Sequence, residues 1–225
     1  MNHERSYGSI VHSDLPYLRL DIPPPGEAVL SEAASRIPQF VDHREGEVPD
    51  GRWKALTLHG LGSDKTLGFE AYGVPEAGQA DAYRWTDAAD LCPATTAYVK
   101  TTFPEAQFGR VRLMLLRPGG QVPFHADYSE RKLASISIAL NHPEGCRFLY
   151  RDRGVVHEVP FADGRAFAVN LSYEHSVVND SQVDRFHLIV HVLRGNAQFR
   201  ELFLRSFSLH GDPREGVDGQ LPVIG

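Results

Sequence analysis

The sequence predicts an α+β fold that is mainly β, in which helices brace a barrel or sandwich of strands. From Arg110 onward, short stretches of alternating apolar and polar residues are separated by Gly, Pro and Asn-Asp turns. The first half of the chain instead shows apolar residues at helical spacing, and its helices do not alternate with the strands. This segregation is typical of helices packed against an antiparallel β unit.

Two helices and one strand are expected in the first half. The Pro-rich loop 22–26 leads into a helix over 27–37 that Pro38 ends, with an apolar side formed by Leu30, Ala33, Ala34 and Ile37. Residues 53–59 alternate like a strand and end at a Gly-rich turn. Pro93 suits the first turn of a helix that runs to about Thr101, with Ala94 and Tyr98 on its inner face.

The second half is expected to contain the strands 109–117, 121–127, 132–141, 146–150, 155–161, 165–172 and 183–193. Glycines in the turns 117–120 and 162–164 supply the positive φ that such connections need. Asn196 can cap a last helix with one apolar side, formed by Phe199, Leu202, Phe203 and Ser206. We therefore expect a single domain over 1–207, comprising a helical and strand region 1–105, a β core 106–194 and a helix 196–207, followed by a flexible tail 208–225.

Composition excludes several classes of protein. The 225 residues are 42% hydrophobic and 23% charged, which is typical of a soluble globular domain. The net charge of −6 argues against a nucleic-acid partner, and no apolar run is long enough to span a membrane. The first residues do not resemble a secretory signal, so a cytoplasmic location is expected. Cys92 and Cys146 lack a CxxC spacing, and we expect two buried, reduced thiols.

The 11 histidines beside 2 cysteines direct any metal chemistry toward imidazole and carboxylate ligands. His125 and Asp127 stand two apart in a predicted strand and therefore project to the same face. His175 follows fifty residues later. Two imidazoles and one carboxylate form the facial triad of non-haem Fe(II) oxygenases, which leaves three coordination positions for a cosubstrate and dioxygen.

Arg185 strengthens this interpretation. It lies ten residues beyond His175 in an apolar predicted strand. A guanidinium that points into a barrel is costly unless an anion pairs with it. A dicarboxylate that chelates iron at one end and reaches Arg185 at the other would supply that anion.

The stretch from Trp53 to Leu193 resembles the aspartyl/asparaginyl β-hydroxylases, which are Fe(II)- and 2-oxoglutarate-dependent dioxygenases with a double-stranded β-helix (jelly-roll, cupin) core. Four segments carry the resemblance: Trp53-x-x-Leu56-Thr57-Leu58; Cys92-Pro93 with Phe103-Pro104-Glu105; Met114-x-x-x-Pro118-Gly119-x-x-Val122-x-x-His125; and Glu174-His175-Ser176-Val177-x-Asn179 through Arg185-x-His187-Leu188-Ile189.

The resemblance implies that iron is bound by His125, Asp127 and His175, and that the distal carboxylate of 2-oxoglutarate is bound by Arg185. The vertebrate-type members lack the carboxylate of the first motif, so the chain looks closer to bacterial amino-acid hydroxylases, including free-proline hydroxylases. The vertebrate-type members also carry extra basic cosubstrate contacts at the positions where this chain has Ala134 and Ile136. Substitutes for these contacts are expected among Ser135, Ser137 and His187, and His59 is a candidate for the substrate pocket.

The implied activity is hydroxylation of an unactivated C–H bond in a free or peptidyl amino acid, aspartyl/asparaginyl-like or proline-like, with release of succinate and CO2. The alternative is a cupin-type protein that binds metal and a small acid as a sensor, isomerase or storage module. Arg185 favours the oxygenase, because a non-oxygenase barrel has no particular use for a buried cation there. The cluster Arg147, Arg151 and Arg153 is expected to be a solvated face, and a carrier-protein partner for it stays open.

Overall fold

Two antiparallel sheets enclose the interior of the protein. The computed structural model describes residues 7–44, 48, 51–74, 82–103, 108–127, 131–192 and 197–214. The major sheet has the order β1-β10-β7-β12-β5-β3-β2, and β4 also pairs with β3. Its strands are β1 (Tyr17–Arg19), β2 (Val41–Asp42), β3 (Trp53–Gly60), β4 (Arg84–Trp85), β5 (Phe108–Leu116), β7 (Ser135–Ala139), β10 (Ala166–Val169) and β12 (Arg185–Val192).

The minor sheet has the order β6-β11-β8-β9. Its strands are β6 (Gln121–His125), β8 (Cys146–Asp152), β9 (Val155–Val159) and β11 (Glu174–Asn179). The predicted class, a mainly β fold with a double-stranded β-helix core braced by helices, is confirmed. Gly119 and Gly164 adopt the positive φ predicted for their turns, at 70° and 73°.

The helices cover the outer face of the major sheet. They are α1 (Tyr7–Val11), α2 (Glu27–Ser35), α3 (Asp87–Leu91), α4 (Pro93–Thr102) and α5 (Ala197–His210). In β5, the alternate residues Val111, Leu113 and Leu115 belong to the core shared with the helices. Residues Arg110, Arg112 and Met114 therefore project to the opposite face, toward the space between the sheets.

The structure corrects several predicted elements. The segment Glu174–Asn179 is a strand that the predicted set lacked, and its Asn179-Asp180 pair lies at the strand end, where Asn179 Oδ1 accepts hydrogen bonds from Ser181 in the bend that follows. In α2, Val29 is buried and Ala34 is exposed, so the apolar side is rotated from the predicted one. The last helix continues past residue 207 to His210, and Asp212 is buried and paired with Arg214. Residues 208–210 thus extend the helix with exposed side chains, and the buried Asp212 holds the segment that follows; residues 215–225 and the predicted cap Asn196 lie outside the described residues.

Other predictions agree with the structure. Phe199, Leu202, Phe203 and Ser206 on α5 are all buried. Cys92 and Cys146 are buried free thiols. Among the described helices, none combines the length and apolar character needed to cross a bilayer.

Glu32 of α2 caps the neighbouring helix α4. Its carboxylate accepts hydrogen bonds from the backbone N–H groups of Ala94 and Thr95 at 2.7 and 2.8 Å, and from the Thr95 hydroxyl at 2.8 Å. Negative charge is favourable at a helix N-terminus. We expect Glu32→Ala to lower the free energy of unfolding by about 1–3 kcal/mol, measured by urea denaturation. Glu27→Ala, which removes an acid from the first turn of α2 itself, should cost less, and an equal loss in both variants would contradict the capping role.

Candidate active site

Two histidines face each other across the paired strands β6 and β11. His125 and His175 are register partners with ring centroids 4.3 Å apart. The Nδ1 atom of His125 lies 2.8 Å from the Pro123 carbonyl oxygen, and that of His175 lies 3.0 Å from the Tyr173 carbonyl oxygen. A carbonyl only accepts hydrogen bonds, so each Nδ1 carries the proton and each Nε2 presents a lone pair. This arrangement is typical of metal-binding histidines.

Asp127 completes a group of three potential metal ligands. The observed strand β6 ends at His125, two residues short of the predicted strand 121–127, so Asp127 lies just beyond the strand, where its N–H donates to the Leu171 carbonyl at 2.9 Å. One potential ligand atom from each of His125, Asp127 and His175 lies within 4.8 Å of the others. The donor set, two imidazole nitrogens and one carboxylate oxygen, fits the facial triad of a mononuclear non-haem Fe(II) site.

The protonation states suit metal binding, because metals bind neutral imidazole and ionised carboxylate. Burial lowers the pKa of His175 to about 4, against the opposing effect of its bond to the Tyr173 carbonyl. Burial alone would raise the pKa of Asp127, but the hydrogen bond and charge of Arg44 outweigh it and bring the pKa below its ordinary value. Arg44 Nη2 lies 2.7 Å from Asp127 Oδ1.

A cavity of about 420 Å³ opens beside these ligands. His125 and Asp127 line it from one side, and β5, β7 and β12 of the major sheet form the opposite wall. The residues from those three strands are Arg110, Arg112, Met114, Ser135, Ile189 and His191.

Arg185 lies in a second, smaller cavity of about 60 Å³ that shares Trp53, Met114 and Ile189 with the first. Its side chain is only 5% exposed, and burial lowers its pKa to about 10, so it stays charged at neutral pH. Arg185 Nη2 donates to His187 Nδ1 at 3.2 Å, and Ser137 Oγ lies 3.0 Å from the same nitrogen. No carboxylate of the described residues forms a salt bridge with Arg185.

Two donors in this smaller cavity have no hydrogen-bond acceptor among the described residues. They are the buried Nε of Arg185 and the buried Nε2 of His187. Because an arginine only donates, His187 Nδ1 is the acceptor and Nε2 carries the proton. Burial and the charge of Arg185 keep the pKa of His187 well below its ordinary value. A cation and two unsatisfied N–H groups together form a receptor for an anion.

The structure brings together His125, Asp127, His175 and Ser135 in one region, and Arg185, His187 and Ser137 in the adjoining one. It does not bring His59 to either cavity. His59 Nδ1 lies 2.6 Å from the Gly109 carbonyl, and its ring packs among aromatic side chains, with the Trp85 centroid 5.1 Å away.

The sequence prediction missed several residues of this cavity, among them His43, Arg44, Arg110 and Arg112. For Arg110 and Arg112 a signal existed, since both share a strand face with Met114 in an otherwise apolar run. His43 and Arg44 follow a strand of two residues, too short to reveal a face.

A double-stranded β-helix with a His-Asp-His site is the architecture of the mononuclear non-haem Fe(II) oxygenases. The model of the aspartyl/asparaginyl β-hydroxylase family matches residues 22–195. The chain belongs to this family, and it is an amino-acid hydroxylase of the 2-oxoglutarate- and Fe(II)-dependent class. No curated protein matches the sequence significantly.

Similar solved structures show low sequence identity. A Pseudomonas putida prolyl-4-hydroxylase is 15% identical with a TM-score of 0.47, over 86% of this chain and 99% of that one. A Trichoplax adhaerens prolyl hydroxylase in complex with a hypoxia inducible factor peptide fragment is 10% identical with a TM-score of 0.48, over 91% and 90%. A 2OG-Fe(II) oxygenase family oxidoreductase from Burkholderia pseudomallei is 15% identical with a TM-score of 0.38, over 64% and 67%.

Proposed function

We propose that His125, Asp127 and His175 bind Fe(II), that Arg185 binds the distal carboxylate of 2-oxoglutarate, and that the substrate is an amino acid, free or within a peptide. The observation that carries the proposal is the combination of three ligand atoms within 4.8 Å with a buried arginine in the adjoining cavity. A metal site alone would also suit a non-oxygenase cupin. The additional anion receptor favours a dicarboxylate cosubstrate.

The residues around the metal ligands fix their orientation. The carbonyls of Pro123 and Tyr173 hold the two imidazoles with Nε2 toward the site. Arg44 donates to Asp127 Oδ1, which also lies 3.7 Å from His125 Nε2, so this contact orients the carboxylate beside the imidazoles. With Fe(II) bound, the centre supplies the activation of dioxygen that drives the oxidative decarboxylation of 2-oxoglutarate and the hydroxylation of the substrate.

The cosubstrate pocket is built to hold a carboxylate away from water. Arg185 and His187 supply the donors, and Ser137 contributes a hydroxyl beside them. The remaining lining is mostly apolar and includes Val122, Phe148 and Val177 of the minor sheet. Phe148 stacks on His175 at 5.8 Å with nearly parallel rings, so the wall of this pocket reaches the metal ligands. In such an apolar environment a charged pair is stronger than in water.

The proposal is tested by adding 2-oxoglutarate to the full-length protein loaded with Fe(II) under anaerobic conditions. We expect a weak visible metal-to-ligand charge-transfer band, and succinate release once oxygen and an amino-acid substrate are supplied. A protein that binds Fe(II) but gives neither the band nor 2-oxoglutarate affinity would instead support a non-oxygenase cupin.

Replacement of the metal gives a further prediction. Zn(II) and Co(II) accept the same nitrogen and oxygen ligands, so both should bind with about one ion per chain. Neither should support turnover, because the reaction requires a redox-active metal that activates dioxygen. Metal content is measured by atomic emission and turnover by succinate release. Oxygen-dependent product from enzyme that holds only zinc would contradict the proposed chemistry.

A further inference from the structure

The cavity beside the metal ligands has a positively charged wall. Among the described residues that line it, the arginines are Arg44, Arg110 and Arg112, while Glu70, which is exposed, is the carboxylate besides Asp127. Arg44 is engaged with Asp127. The positive charge on the side of the major sheet therefore comes from Arg110 and Arg112.

These two guanidinium groups are held in place by the same backbone oxygen. Arg112 Nη1 donates to the Thr66 carbonyl at 2.7 Å, and Arg110 Nη1 donates to it at 3.2 Å. Arg112 Nη2 also donates to His191 Nε2 at 3.2 Å, and its side chain is only 6% exposed. Planar donor groups fixed in this way lose little conformational freedom when they bind a carboxylate.

The charge of this wall resides on the arginines and not on the histidines beside them. Burial lowers the pKa of His43 to about 2, and the charges of Arg112, Arg44 and Arg110 contribute to the shift. Burial and the same neighbours, Arg112 and Arg110, keep the pKa of His191 well below its ordinary value. Two like charges on one carbonyl oxygen repel each other, and an anion bound to both offsets that repulsion.

We propose that Arg110 and Arg112 bind a carboxylate of the substrate, so the hydroxylated compound is an amino acid that presents a free carboxylate to the major-sheet wall. This inference rests on the proposed function, because it assumes that the reacting C–H bond lies at the metal ligands of the same cavity. The carboxylate is either the α-carboxylate of a free amino acid or the side-chain carboxylate of an acidic residue. Both have the same chemistry toward a guanidinium pair.

The two arginine sites have separate roles in this proposal. Arg185 lines the small cavity and not the large one, whereas Arg110 and Arg112 line only the large one. The large cavity falls within the range of volumes typical of small-molecule sites, about 300–1,000 Å³. Cosubstrate and substrate thus bind to different cations on the same sheet.

The test uses the full-length enzyme loaded with Fe(II) and 2-oxoglutarate under anaerobic conditions. Free L-amino acids, their α-carboxamides and a peptide with an internal aspartate are titrated by calorimetry, and succinate release is measured after oxygen is admitted. We expect binding of at least one compound with a free carboxylate, and about 100-fold weaker binding once that carboxylate is replaced by an amide. Asparagine, which keeps only the α-carboxylate, and aspartate α-carboxamide, which keeps only the side-chain carboxylate, distinguish the two sources.

Substitutions test whether Arg112 is responsible for carboxylate binding. Arg112→Met should weaken carboxylate binding by a similar factor while the dissociation constant of 2-oxoglutarate changes less than about twofold. Arg112→Lys keeps the positive charge and provides a second test in case the Met variant misfolds. Its affinity for the carboxylate should lie between those of Arg112→Met and the wild type. The exposed Arg165, which donates to the Pro160 carbonyl at 3.3 Å, provides the matched control Arg165→Met.

Several results would overturn the inference: carboxamides that bind as well as the acids, unchanged acid binding in Arg112→Met, or no binding of any acid by wild-type protein that binds 2-oxoglutarate. Loss of 2-oxoglutarate affinity in Arg112→Met, with normal affinity in Arg185→Met, would exchange the two roles and also overturn it. Failure of the wild type to bind 2-oxoglutarate at all would instead refute the proposed function.

Discussion

Replacing Arg185 by alanine is expected to weaken 2-oxoglutarate binding by two to three orders of magnitude while Fe(II) affinity stays within a few-fold of wild type. The removal of one partner from a buried charged pair costs about 3–5 kcal/mol, and each 1.4 kcal/mol is about tenfold in affinity. Metal affinity is spared because Arg185 lies in the small cavity and is not among the ligand group. Anaerobic titration of the charge-transfer band measures the cosubstrate, and equilibrium dialysis measures the metal.

Two further variants separate charge from geometry. Arg185→Lys retains a cation but loses the fork that matches a carboxylate, so it should recover only part of the affinity. Arg205→Ala removes an exposed arginine that pairs with Asp21 at 3.0 Å, and it should leave cosubstrate binding unchanged. Equal 2-oxoglutarate affinity in wild type and Arg185→Ala would refute the assigned role of this residue.

Replacing His175 by alanine is expected to abolish turnover and reduce Fe(II) affinity by more than about 100-fold. Loss even of a residue that only orients a metal ligand typically costs 10–100-fold in metal affinity, and His175 is proposed as a ligand itself. Its ring is buried, and among the described residues no histidine other than His125 belongs with it to the ligand group, so no further histidine there can replace it. The charge-transfer band should disappear, and circular dichroism should show that the fold is retained.

His157 provides the matched control. It lies on β9 of the same sheet, where its ring stacks on Tyr150 at 5.1 Å, and it is not a member of the ligand group. His157→Ala should therefore retain metal binding and the band. If the band persisted in His175→Ala, the proposed triad would be wrong.

The residues of the site that follow a short sequence pattern could be predicted from the sequence alone. His125 and Asp127 are two residues apart, and His175 and Arg185 are joined by a spacing that resembles the family. The mainly β core and the apolar side of the last helix were predicted for the same reason, because strand and helix periods are visible within a few residues. For these elements, short-range periodicity is sufficient to predict the secondary structure, because each element is long enough to show its period.

The missed features depend on contacts between distant segments. The strand Glu174–Asn179 ends in a turn signal, yet its pairing with β8 and β6 makes it a strand. Arg44 reaches Asp127 across 83 positions of sequence, and Thr66 accepts from Arg112 across 46. No local pattern reveals such pairs. The position of His59 near a strand end suggested the substrate pocket. Its contact with the Gly109 carbonyl and its aromatic neighbours likewise could not be predicted from the local sequence.

The two sheets of the core carry different parts of the proposed chemistry. His125 and His175 come from strands of the minor sheet, whereas Arg112 and Arg185 come from strands of the major sheet. The position at which a substrate is hydroxylated is then set by the distance between the sheets, because one sheet fixes the oxidant and the other fixes the acid group. In the proposed arrangement, Met114 and Phe148, which line the smaller cavity between the sheets, should therefore influence which carbon is hydroxylated, although neither is proposed to bind the metal or a carboxylate.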